Sequence, residues 1–243
     1  MPTLITLSRT ITSVAALGLV ACDAQTAVEP AAYDDVAQIL ASSLGSDTGG
    51  GLPGALADVM SLAHGTRPPG FVTDRHGWFV GTHGDATYTY QLTCADVAGR
   101  LLPACGDATD HAMVIAAWYG VTDQVAYHHR FNRAVVWQID HLQAPMGTIT
   151  GVSQLTAEAT FGVIGTPVAY ALTAGFDERY LLDTAARTVL RGDLSAEMVI
   201  RHDGERLAIT ALVAIDEGAV SAAIQLDGEL ISEVELDTSF PGE

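Results

Sequence analysis

There is no lysine anywhere in the 243 residues. That absence excludes a phosphate loop of the Gly-Lys-Ser/Thr type, a Schiff-base lysine and any Ser-Lys dyad. Positive charge comes only from 11 arginines, set against 29 Asp and Glu, for a formal net charge of −18. A surface this acidic repels phosphate backbones and anionic head groups, which argues against nucleic acid and against a peripheral electrostatic hold on a bilayer. Cysteine is scarce too, with three in the chain and no Cys-x-x-Cys pair. Neither His-Glu-x-x-His nor His-x-His occurs among the 8 histidines, so no zinc signature is present. Gly151-Val152-Ser153-Gln154-Leu155 lacks the second glycine of a hydrolase elbow, which leaves Ser153 without a claim to be a nucleophile.

The N-terminus is more informative. From Leu4 to Ala21 the chain is apolar with Arg9 as its only charged side chain, and it ends in Leu19-Val20-Ala21-Cys22. A small residue before a cysteine, preceded by branched apolar residues, resembles the lipobox of bacterial lipoprotein signal peptides. An ordinary secretory signal cleaved elsewhere is the alternative. The resemblance implies that residues 1–21 are removed, that Cys22 carries lipid, and that the mature chain is extracytoplasmic and membrane-anchored, in the periplasm or at the cell surface. Each buried methylene is worth about 0.8 kcal/mol, so two or more acyl chains hold without help from basic residues. Asp23 after the cysteine resembles an inner-membrane retention signal of some bacteria.

Once Cys22 is assigned to lipid, Cys94 and Cys105 remain as an even pair in an oxidising compartment. Gly99 and Pro103 lie between them and mark a loop. A disulfide across such a loop contributes about 3 kcal/mol, mainly by restricting the unfolded chain. Two free buried thiols or a metal pair are the other readings of the same residues.

Residues 22–30 read as a tether and 31–70 as a helical N-terminal segment. In 31–44 the residues Tyr33, Val36, Ala37, Leu40 and Leu44 form one stripe. A glycine-rich break at 45–51 precedes a second helix from Pro53 to Ala63. Residues 71–243 read as one antiparallel β domain. Period-two alternation is clear in 87–94, in 207–215 and in the last two runs, with Val220, Ala222, Ile224 and Leu226 sharing one face. Asp203-Gly204 and Asp227-Gly228 are strong hairpin signals, and Gly192-Asp193 and Glu217-Gly218 are further ones. Short links between alternating runs predict a meandering antiparallel sheet of about ten strands. Residues 112–119 are apolar on both faces, which predicts a strand covered on both sides. The fold class expected is therefore mainly β: a curved or partly closed meander with one or two short N-terminal helices. At the level of architecture alone, that resembles the half-barrels of the LolA and LolB periplasmic lipoprotein carriers, without a shared motif.

Candidate chemistry is thin. His111, His128, His129 and His141 lie close in sequence, but His128 and His129 must point to opposite faces of a strand. His141 continues the face of Val135, Trp137 and Ile139, which predicts a core histidine. Glu233, Glu235 and Asp237 line one side of the last strand, as expected of a solvated face, and Asp107, Asp110 and His111 cluster after Cys105. Arg191-Gly192-Asp193 spells an adhesion tripeptide in what reads as a turn. The expectation is a lipid-anchored structural or protein-interaction module without a cofactor or catalytic site. The alternative is a carrier of a lipid or other apolar ligand in a half-barrel cavity, for which Tyr88, Tyr90, Trp118 and Trp137 supply aromatic walls.

Overall fold

A computed structural model describes residues 30–45, 51–124, 126–162, 167–202, 204–216, 219–226 and 229–236. Cys22, the segment before it and Asp237 lie outside the described residues. Two helices, α1 (Pro30–Leu44) and α2 (Gly51–Ala63), come first. The strands that follow are β1 (Val72–Thr73), β2 (Phe79–His83), β3 (Ala86–Ala95), β4 (His111–Gln124), β5 (Tyr127–Asp140) and β6 (Met146–Phe161). The run continues with β7 (Val168–Asp183), β8 (Thr188–His202), β9 (Glu205–Asp216), β10 (Ala219–Leu226) and β11 (Glu229–Leu236). They form one open sheet in sequence order, and every neighbouring pair is antiparallel.

The hairpin signals account for much of this meander. His202 pairs with Glu205, Asp216 with Ala219 and Leu226 with Glu229, so two residues separate the paired strand ends at each of these places. Asp203, Glu217, Gly218, Asp227 and Gly228 themselves lie outside the described residues. Gly192-Asp193 is different. It lies inside β8 rather than at a turn, and the chain reverses between Asp183 and Thr188, where Arg187 has φ 57°. Gly192 faces inward beneath Tyr180, whose ring would lie 2.5 Å from an added Cβ. The glycine there makes room for an aromatic side chain instead of turning the chain.

The sheet curls around the helices. Alternate residues of β3 to β9 point inward and are buried, while those between face out. Ile39, Leu40 and Leu44 of α1 and Leu52, Val59 and Met60 of α2 are inaccessible, and α2 is buried on almost every side, as expected of helices enclosed within a fold. α1 touches β5 and β6 as well as β10 and β11, which requires the sheet to bend round it. α2 packs on β3. The strand at 112–119 is covered on one face only: Met113, Ile115 and Tyr119 are 55%, 44% and 51% exposed on the outer side of β4. Its apolar outer face reflects a surface patch, not a second covering layer.

Cys94 and Cys105 form a disulfide with Cα atoms 5.3 Å apart. It closes the loop after β3, where the Asp96 carboxylate accepts hydrogen bonds from the backbone N–H groups of Ala98 and Arg100.

Candidate functional site

Most inward positions are apolar, but a few carry polar groups. Arg133 on β5 and Glu178 on β7 form an ion pair in which neither side chain is exposed. Ser153 on the intervening strand β6 accepts from Arg133 Nε and Nη2 at 3.1 and 3.0 Å and donates to Glu178. Trp137 Nε1 and the Tyr180 hydroxyl donate to Glu178 Oε2 at 2.6 and 2.7 Å. Trp137 and Glu178 are each in register with Gly151, so the indole crosses β6 where that strand has no side chain. Burial alone would raise the Glu178 pKa, but the Arg133 charge and the donated hydrogen bonds outweigh it and hold the carboxyl below its usual range. The Arg133 guanidinium also lies 5.0 Å from the ring centroids of both Trp118 and Phe176. This fully buried network joins three strands and serves the fold, and Arg133 Nη1 is left in it without a hydrogen-bond partner among the described residues.

Polar contacts also tie the helices to the sheet. Asp58 of α2 accepts from Tyr90 at 3.0 Å and pairs with His83 Nε2 at 2.7 Å. Ser43 of α1 donates to the Ile39 carbonyl at 2.7 Å and stands 3.0 Å from His129 Nε2. The single Ser43 hydroxyl hydrogen is engaged by Ile39, so Nε2 of His129 donates and Nδ1 is left as a buried acceptor without a partner among the described residues. Burial pushes the His129 imidazole down to about 4.

The remaining sequence candidates separate. His128 is exposed and paired with Asp123, on the face opposite His129. His141 is not a core residue: it follows β5 in an exposed position with φ 66°, its ring 5.9 Å from that of His111. The chain turns at the end of β5, so the alternation does not carry through it. His111 bridges Asp140 and Asp110 at 2.8 and 3.1 Å, while Asp107 is exposed and offers its carbonyl to Gln143. Among the described residues, no group of three or more His, Cys, Asp or Glu is placed to hold a metal ion. Glu233 and Glu235 lie on β11, with side chains outside the described set. Arg191 and Asp193 stand on the outer face of β8, Arg191 3.4 Å from Asp216, and are not presented on a loop. Tyr88, Tyr90, Trp118 and Trp137 are all inward and inaccessible.

The open surface lies outside. A groove of about 1000 Å³ crosses the outward face from β3 to β9. At one end Ile115, Val136 and Val152 stand side by side in register on β4, β5 and β6, 44%, 47% and 55% exposed. Trp78 closes that end. Small residues lie beside this row and beyond it: Ala117 and Ala134, in register on β4 and β5, and Gly175 on β7, where an added Cβ would meet nothing within 4 Å. The other end carries Asp177 and Glu197, the charged side chains that line the groove among the described residues. Periodicity alone could have located this surface, since Ile115, Val136 and Val152 occupy the outward set of their strands. The buried ion pair had a signal as well: Arg133 and Glu178 each interrupt an inward apolar alternation, with opposite charge.

Compared with protein-family models, curated proteins and solved structures, the chain matches none.

Proposed function

We propose that this chain is a lipid-anchored extracytoplasmic protein-interaction module, held to a membrane through Cys22 and not an enzyme. The observation that carries the reading is the contrast between its two faces. On the concave face two buried helices pack against the inward side chains, and Arg133, Ser153, Glu178, Trp137 and Tyr180 are joined there in one network. On the outward face a long groove with an apolar end is open to solvent. The helices and inaccessible aromatics occupy the space that an apolar-ligand carrier would need, so the carrier reading ranks second.

The anchor is tested by growing cells that express the full chain with radiolabelled palmitate. Label on the wild-type protein and none on Cys22→Ala supports it. Equal label on both, or label on neither with secretion into the medium, rejects it.

A further inference from the structure

We infer that the outward groove binds an extended segment of a partner protein, with aliphatic or aromatic side chains over β4–β6 and Arg or Lys side chains over β7 and β8. This deepens the interaction reading above and rests on it.

The two ends of the groove differ in chemistry. Ile115, Val136 and Val152 make an exposed apolar row across three adjacent strands, with Trp78 beside it. Exposed apolar side chains in a continuous row mark surfaces that bind. Asp177, next in register to Val152, begins the acidic end, and Glu197 completes it on β8. Neither carboxylate has an ion-pair partner or a side-chain hydrogen bond within the described protein, so both are available to a cation. The adjoining depression of about 830 Å³ shares Asp177 and adds Asp193 and Arg179. That places two further groups of opposite sign next to the acidic end, outside the groove itself.

Length and charge select the occupant. Ile115 on β4 and Glu197 on β8 are separated by four strand spacings, roughly 19 Å at about 4.8 Å each. An extended chain covers that distance in about six residues. A groove this long and open suits a polypeptide lying across the strands better than a compact small molecule. A second copy of this chain carries the same charge of −18, with 11 arginines against 29 Asp and Glu, and is repelled, and anionic lipid head groups meet the same repulsion. A basic-apolar segment gains at both ends: apolar burial at one, charge pairing at the other.

The probe is a phage-displayed library of random heptapeptides, selected on the detergent-solubilised full chain. Enriched peptides are then synthesised and titrated by fluorescence anisotropy. The expected result is a consensus with Leu, Ile, Phe or Trp at one end and two or more Arg or Lys at the other. Val152→Asp should weaken binding more than tenfold. The pair Asp177→Asn and Glu197→Gln should weaken it by up to about tenfold, and that loss should match the loss of salt sensitivity. Because these side chains are exposed, each variant is expected to melt within about two degrees of wild type, and circular dichroism checks this. No enrichment overturns the proposal, as does enrichment of acidic or uncharged sequences. Peptides whose binding ignores all three substitutions also overturn the groove as their site while leaving the interaction reading intact. That reading fails on a separate observable, a lipid copurifying inside the folded domain.

Discussion

Arg133 on β5 and Glu178 on β7 meet across β6, with no exposure of either side chain, and Ser153 on β6 hydrogen-bonds both. The intervening strand lets them meet because its inward residues at that point are a serine and, one inward position away, Gly151. A charge pair in so dry a place stabilises little beyond what an apolar pair would, but half of it is very costly.

Removing one member should therefore be expensive and removing both much less so. Arg133→Met and Glu178→Leu are each expected to lower unfolding free energy by about 3–5 kcal/mol. The double variant should lose well under the sum. Urea unfolding of the four proteins closes the cycle, and additive losses would mean that the pair is not coupled.

Stability should also depend on pH through His129. Its ordinary pKa near 6.5 falls to about 4 in the fold because burial disfavours the cation. The unfolded chain therefore takes up the proton first, so the stabilisation is complete above pH 6.5 and is lost as pH falls toward 4. The loss is about 3 kcal/mol. Glu178, held below the carboxylate range, works in the same direction further into acid. Measured as the difference from His129→Gln, the decline between pH 6.5 and 4 should vanish in the variant.

Gly151 is a packing glycine. An added Cβ would lie 2.2 Å from the Val136 carbonyl oxygen and 2.7 Å from the Trp137 ring. Gly151→Ala should cost about 1–3 kcal/mol and move Trp137 away from Glu178, with a shift in indole fluorescence. An unchanged melting curve and spectrum would contradict the placement of that indole.

Replacing Cys94 and Cys105 by serine should remove about 3 kcal/mol, and reduction of the wild type should do the same. Thermal unfolding with and without reductant measures both.

The sheet was legible because its strands obey a period of two and because two residues, Asp-Gly or Glu-Gly in sequence, separate the paired ends of its last four strands. Helix positions followed from their stripes, and the Cys94–Cys105 bridge from simple arithmetic. Three readings failed for identifiable physical reasons. Gly192 looked like a turn but makes room for Tyr180, and a glycine's need for space is invisible in sequence. His141 looked inward because the alternation was carried past the end of β5. Residues 112–119 looked doubly covered, whereas their outer apolar side chains belong to the exposed surface that includes the groove. Contacts such as Asp58 with His83 and Ser43 with His129 join a helix to a distant strand, which no local pattern encodes.

A filled concave face and an open outward one distinguish an interaction module from a carrier. Native mass spectrometry tests this most directly, on the soluble chain beginning after Cys22 and purified from a periplasmic preparation without detergent. A single mass equal to the disulfide-bonded polypeptide alone is the predicted result. An added mass that disappears on denaturation and matches a lipid would contradict it, and the carrier reading would take its place.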